Sequence, residues 1–221
     1  NRIVVNVAAH EQYWKYQYRL KSSIQTHSPS DELLFWKGSY PPGSPHHSED
    51  IDGVTHIPYG FKLYAIQEAR RQGYDQILWL DSGVHIIKPL DGVWEKIEKD
   101  GHLLVESEQI LEQWCKEDVM KAYDATTFER QNLRILACAI IGLDFTNATA
   151  CKFFDGLWGA MKAGHYTGAV SNHSKLQDHR GDEAVGAILA SRLGMRPTKV
   201  GDFHMADQMP PTGTAVFRSG Y

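Results

Sequence analysis

The chain is short of the features that would give it away quickly. It has no surplus of positive charge: 23 Lys and Arg face 27 Asp and Glu, for a formal charge of −4 and a pI near 6.3. That excludes the electrostatic footprint of a nucleic-acid binder. Basic residues are scattered, so no polybasic patch aims at a membrane surface. No apolar stretch reaches the roughly 18 residues that a membrane-spanning helix needs. Cysteine is scarce. The three present, Cys115, Cys138 and Cys151, share no metal-binding spacing and read as reduced thiols of a cytoplasmic protein. His46-His47, His165, His173 and His179 match no zinc spacing either. Repeats, low-complexity tracts, a signal peptide and a clear linker are all missing. The chain does not open on Met and enters an apolar run almost at once, which predicts that an upstream segment has been removed.

What is present is a core: 42% of the 221 residues are hydrophobic, enough for one large domain. The first half alternates. Arg2 to Ala8 predicts a buried strand, Glu11 to Thr26 a helix, Asp31 to Lys37 a strand, and Phe61 to Gln72 an amphipathic helix ended by Gly73. A proline-rich loop fills Gly38 to Asp50, and Val54 to Ile57 reads as a short strand. Then comes Ile77-Leu78-Trp79-Leu80, an apolar strand that ends on Asp81-Ser82-Gly83 and is followed by the apolar Ile86 to Leu90. This order implies a mostly parallel sheet with crossover helices. Open α/β sheets bind ligands beyond the carboxyl ends of their strands, which makes Asp81 the first site candidate.

The second half is less regular. Helices are expected over Leu90–Lys99, within Glu108–Tyr123, from Thr146 or Asn147 to about Ala163, and over Asp182–Leu193. Strands are expected at Leu103–Glu106 and Arg134–Leu143, and the tail from Met195 reads as mostly irregular. Asn147-Ala148-Thr149 matches a glycosylation sequon but sits at a helix start. Asp178, Asp182 and Glu183 cluster beside His179 and Arg180, where acids also suit a helix dipole.

Several segments, in this order, resemble the nucleotide-sugar-dependent glycosyltransferases of the GT-A fold, of the family-8 type or the small viral and bacterial type. They are Tyr13 to Pro29, Phe61 through Asp81, Ile86 to Leu90, Cys138 to Phe145, Arg180 to Ile188, and Gly201-Asp202-Phe203-His204. The resemblance implies one α/β, Rossmann-like domain over residues 1–221, with a smaller acceptor-side subregion, divided into a nucleotide-binding half (1–105) and an acceptor-side half (106–221). It implies transfer of a sugar from a UDP- or GDP-sugar to a hydroxyl acceptor, a glycan or polysaccharide. Asp81-Ser82-Gly83 then stands at the family's DxD motif, with Gly83 where the second acid is expected. The implied cofactor is Mn²⁺ or Mg²⁺, held by Asp81 and His204, which would stabilise the charge gained by the leaving diphosphate.

Around that motif, the small residues Ala8 and Ala9 leave backbone free for a base edge. His10 or Tyr13 could stack on it, and Lys62 resembles a basic residue near the nucleotide. Ser82, Gly83 and Asp178 complete the expected substrate contacts. Asp182 and Glu183 are the expected catalytic carboxylates, one of which would deprotonate the acceptor hydroxyl. Whether transfer inverts or retains is left open by the sequence. Trp36, Trp114 and Trp158 are candidate sugar platforms. Two other readings remain: a nucleotidyltransferase, disfavoured because Asn6 to His10 is not a Gly-rich basic loop, and a non-catalytic sugar- or protein-binding domain, kept alive by Gly83.

Overall fold

The computed structural model describes residues 1–44, 57–167, 173–199, 201–206 and 215–220. Its elements run β1 (Arg2–Ala8), a 3-10 turn (Glu11–Tyr13), α1 (Trp14–His27), β2 (Glu32–Lys37), α2 (Phe61–Arg71), β3 (Gln76–Leu80), β4 (Val84–Ile86), α3 (Asp91–Asp100) and β5 (His102–Ile110). They continue with α4 (Leu111–Trp114), α5 (Glu117–Ala122), α6 (Thr127–Asn132), β6 (Arg134–Asp144), α7 (Ala148–Lys162), α8 (Gly181–Arg192), β7 (His204–Ala206) and β8 (Phe217–Ser219).

The central sheet has five strands in the order β2-β1-β3-β6-β5. β1 pairs in parallel with both β2 and β3, whereas β6 runs antiparallel to β3 and to β5. β6 is therefore the one reversed strand, and the expected mostly parallel sheet is what forms.

Pleating divides the apolar side chains between two cores, because successive residues point to opposite faces. Ile3, Val5, Val7, Ile77 and Trp79 join α2, α7 and α8 on one face. Val4, Leu78 and Leu80 join Leu20 and Ile24 of α1 and Val93, Trp94 and Ile97 of α3 on the other. Both faces are covered, so β1 and β3 read as continuous apolar runs rather than alternating ones.

The structure also shows features that the sequence pattern does not announce. The described residues of the tail are mostly irregular, as expected, but β7 and β8 join β4 in a second, three-stranded sheet in the order β4-β8-β7. The run after Asp81 therefore belongs to this small sheet and not to the central one. These strands are only three residues long, too short to print a period on the sequence. β5 also extends to Ile110. α6, which was not expected, is closed by a capping box in which Thr126 and Glu129 exchange hydrogen bonds. Asn147 does cap α7, accepting from the amides of Thr149 and Ala150 at 2.8 and 3.2 Å. The expected strand at 54–57 and His46-His47 lie outside the described residues, except Ile57, which is in no strand. Among the described residues, no helix is long and apolar enough to cross a membrane.

Candidate functional site

β3 is buried from Ile77 to Leu80 and delivers Asp81 to the carboxyl end of the sheet. The turn that follows is fixed by backbone bonds: Asp81 N–H donates to the Ala139 carbonyl at 2.8 Å, and Val84 N–H donates to the Asp81 carbonyl at 2.9 Å. The sequence did not reveal what holds the turn from below. Asn6, fully buried in β1, donates from its side-chain amide to the Leu80 carbonyl at 2.6 Å and to Ser82 Oγ at 3.2 Å. Gln17 of α1 donates to Asn6 Oδ1 and to the Trp36 carbonyl, both at 2.8 Å. This seam ties α1, β1, β2 and the turn together. Ser82 is its last member, with Oγ also 3.3 Å from the Val7 carbonyl.

Two cavities meet at Asp81. The first, about 550 Å³, is lined by Val7, Ala9, His10, Tyr13, Tyr40, Tyr59, Phe61 and Trp79 as well as by Lys62, Asp81 and Ser82. Every lining residue comes from the 1–105 half. Its wall is aromatic: Tyr40 and Phe61 ring centroids are 5.8 Å apart, Phe61 and Trp79 are 6.0 Å apart, and the Tyr40 hydroxyl meets His10 Nε2 at 3.0 Å. Of the expected base contacts, His10 and Tyr13 are on this wall. Ala8 is behind it, its carbonyl taken by Gly38 N–H at 3.0 Å and Trp14 Nε1 at 3.1 Å, and Ala9 lines the wall instead.

The second cavity, about 330 Å³, shares Tyr59, Lys62 and Asp81 with the first and adds Gly83, Asp178, His179, Arg180, Asp182, Glu183 and Ser219. It draws on both halves of the chain. Asp182 and Glu183 are brought here by the first turn of α8, whose entry requires glycine: a Cβ on Gly181 would lie 2.3 Å from the Tyr166 carbonyl oxygen.

Lys62 joins the two cavities. It is not a solvated helix charge; the residue is 4% exposed. Its ammonium donates to the Cys138 carbonyl at 3.0 Å and to Asp182 Oδ2 at 3.1 Å, and lies 3.5 Å from Asp81 Oδ1. Burial works to lower the lysine pKa, but the carboxylates of Asp182 and Asp81 outweigh it and hold the group well above its ordinary value. Burial raises Asp81, an effect opposed by Lys62 and by the Trp79 Nε1 hydrogen bond of 2.8 Å. Glu183 is pushed up to about 7, by burial first and by neighbouring Asp182 second, against the pull of Lys62 and Arg180. Arg180 sits 3.4 Å from Glu183 Oε2 and stacks over Trp114, its guanidinium 4.6 Å from the ring centroid. Asp178 is exposed and accepts from the next amide, His179 N–H, at 2.7 Å. Of the other two tryptophans considered as platforms, Trp158 meets Tyr64 in a tilted contact with ring centroids 4.8 Å apart, and Trp36 packs half-buried on the core.

Tyr59 was not anticipated. It stands at φ 60°, a conformation that costs a non-glycine residue about 1–3 kcal/mol, and its ring lies 5.0 Å from the Lys62 ammonium. No sequence signal marks it, because its role arises only where α2 begins.

The expected Mn²⁺ or Mg²⁺ draws on Asp81 and His204, each of which already has a protein partner. Gly83 offers no side chain, and Asp81 Oδ1 already accepts from Trp79 and Lys62. His204 is not on the cavity wall; its Nε2 is 2.7 Å from Ser219 Oγ, and Ser219 lines the cavity. Among the described residues, no three of His, Cys, Asp and Glu group so as to hold a metal.

No protein-family model matches this sequence, and no curated protein matches it. Solved structures do. A glycosyltransferase involved in glycosylation of the major capsid of the virus PBCV-1 superposes with a TM-score of 0.56 at 12% identity, over 99% of this chain and 92% of that one. Mouse xyloside xylosyltransferase 1 superposes with a TM-score of 0.53 at 8% identity, over 100% of this chain and 98% of that one. The chain thus has the single-domain GT-A fold of these enzymes, and at such identities the likeness speaks for the fold.

Proposed function

We propose that this protein is a glycosyltransferase that moves a sugar from a nucleotide-diphosphate sugar to a hydroxyl acceptor, a glycan or polysaccharide. One observation carries the reading: an aromatic cavity and a carboxylate-lined cavity meet at Lys62 and Asp81 at the ligand-binding end of a GT-A sheet. UDP- or GDP-sugars suit this division. The base enters the aromatic cavity among His10, Tyr13, Tyr40 and Phe61, where flat side chains stack on it. The diphosphate lies across the Asp81–Gly83 turn, and the sugar reaches into the second cavity.

Glu183 is the carboxylate for proton transfer. With a pKa of about 7 it is substantially ionised at neutral pH and still basic enough to take a proton. The acceptor oxygen forms its bond to the anomeric carbon and loses its proton to Glu183. The bond from that carbon to the diphosphate oxygen breaks, and the electron pair leaves with the nucleoside diphosphate. Asp182 does not move a proton in this scheme: it neutralises Lys62 and keeps the lysine aimed at the junction of the two cavities. The free thiols Cys115, Cys138 and Cys151 are consistent with a reducing, cytoplasmic setting for this activity.

The test is a thermal-shift panel of UDP-, GDP- and dTDP-sugars followed by assay of nucleoside diphosphate release. Binding to the native state raises its midpoint. Stabilisation by one nucleotide class, with slow release of its diphosphate, is expected. If none of the sugar nucleotides moves the midpoint, the reading fails. If one binds but is never cleaved with any glycan offered, the chain is a sugar-nucleotide-binding domain and not an enzyme.

A further inference from the structure

The turn that carries Asp81 is closed from above by the far end of the chain. β8 pairs with β4 so that Ser219 lies opposite Val84, the residue after Gly83. Gly220 N–H donates to the Gly83 carbonyl at 3.2 Å. Arg19 of α1 donates to the same carbonyl at 2.8 Å and to the Gly220 carbonyl at 2.7 Å. Ser219 is therefore pinned on both sides, and its side chain lines the second cavity beside Asp81 and Gly83.

The hydroxyl also has a set orientation. Its partner is His204 Nε2 at 2.7 Å, while the buried His204 Nδ1 has no partner among the described residues. A neutral imidazole carries a single N–H. Placing that proton on Nδ1 would bury a donor with no acceptor, whereas placing it on Nε2 leaves only an unpaired lone pair, the more tolerable defect. Nε2–H accordingly donates to Ser219 Oγ. The serine proton is then free to point into the cavity. The neighbouring ionised carboxylates of Asp81 and Asp182 can only accept hydrogen bonds. A fixed O–H donor at Gly83 suits the opposite kind of group, an anionic oxygen.

We propose that Ser219 is a donor-binding residue whose hydroxyl hydrogen-bonds the diphosphate of the nucleotide sugar, and that His204 is the positioning residue that turns it there. The inference rests on the glycosyltransferase reading above. It gives His204 a role other than metal ligand, and it supplies at Gly83 the polar group that the turn itself lacks.

The test measures affinity for UDP, GDP, dTDP and their sugars, each in EDTA and in Mn²⁺, for the parent protein and five variants. Loss of one hydrogen bond to a charged oxygen is expected to weaken diphosphate binding roughly ten- to a hundred-fold in Ser219→Ala and in His204→Ala, in EDTA as well as in Mn²⁺. The double variant is expected to be no worse than either single one, because the two residues act as a unit. Ser219→Thr keeps the hydroxyl and His204→Gln keeps an N–H for it, so both are expected to retain most of the affinity. Unliganded melting midpoints separate these effects from a loosened strand. The proposal is overturned if Ser219→Ala binds like the parent. It is equally overturned if the His204 effect appears only in Mn²⁺ and is not rescued by glutamine, or if bare diphosphates are unaffected and only their sugars bind less well. If no nucleotide binds the parent protein at all, the glycosyltransferase reading itself falls, and this inference with it.

Discussion

The two cavities that meet at Asp81 are built on different principles. The first is walled by residues of the first 82 positions, with the aromatic rings of Tyr40, Phe61 and Trp79 in contact and the Tyr40 hydroxyl paired with His10. The second is walled by charges drawn from α2, the Asp81 turn and the 178–183 segment, with Ser219 of β8 beside them, segments far apart in the chain. A cavity of the first kind recognises a flat ligand by shape and costs the fold little. A cavity of the second kind confines carboxylates that repel one another, and Lys62 and Arg180 among them offset that repulsion. The two cavities are thus distinct in make-up, with one buried ammonium common to both.

The sharpest way to break the contrast is to remove that ammonium. Lys62→Met leaves Asp81 and Asp182 facing each other without their cation, and denaturant unfolding should show a loss of about 3–5 kcal/mol. Adding Asp182→Asn to that variant should recover part of the loss, which a simple packing defect at Lys62 would not allow.

Next in size is Glu183→Gln. Turnover should fall about 10²- to 10⁴-fold while nucleotide-sugar binding is retained. In the parent protein, activity should rise with pH through about 7 as Glu183 ionises, and this limb should vanish in the variant. Stability should move the other way. Glu183 holds its proton in the folded state up to about 7 but releases it near its ordinary 4.5 when unfolded. Its contribution is full below that lower value, declines as pH rises, and is gone above about 7. Comparing melting midpoints of parent and Glu183→Gln at pH 5 and pH 8 reads this directly.

The first cavity should respond more mildly. Tyr13→Ala should weaken nucleotide binding roughly ten-fold, about the worth of one aromatic stacking contact, and leave the pH limb in place. A change in that limb would mean that the two cavities are not separable. Smallest of all is Asp178→Asn. Asp178 is exposed and engages the neighbouring amide, so stability should stay within about 0.5 kcal/mol and turnover should hardly change. A large effect there would move the acceptor site outward along the 173–180 segment.

The sequence disclosed the parts of this site that depend on local pattern. Four apolar residues ending in Asp81 marked a buried strand and its carboxyl end, and acids before an apolar helical face marked the start of α8. It did not disclose the pairings that make these parts into a site. Lys62 looks like any lysine on an amphipathic helix until α8 brings Asp182 against it. Asn6 and Gln17 sit within apolar and mixed runs with nothing to show that they bond each other. β7 and β8 are too short to carry a period, and Ser219 is an unremarked serine near the end of the chain. The common factor is sequence separation: periodicity reports on neighbours, and the chemistry here is assembled from residues far apart.

Arg19 holds the Gly220 carbonyl across a separation of 201 residues, and the same guanidinium holds Gly83. Closing so large a loop is entropically unfavourable and depends on what has already been ordered in between. The central sheet can gather from β1 to β3 as soon as those strands exist. The second cavity cannot be complete until the last strand arrives and docks beside β4. A closure across 201 residues and the wall of the second cavity thus fall on one segment, Ser219-Gly220.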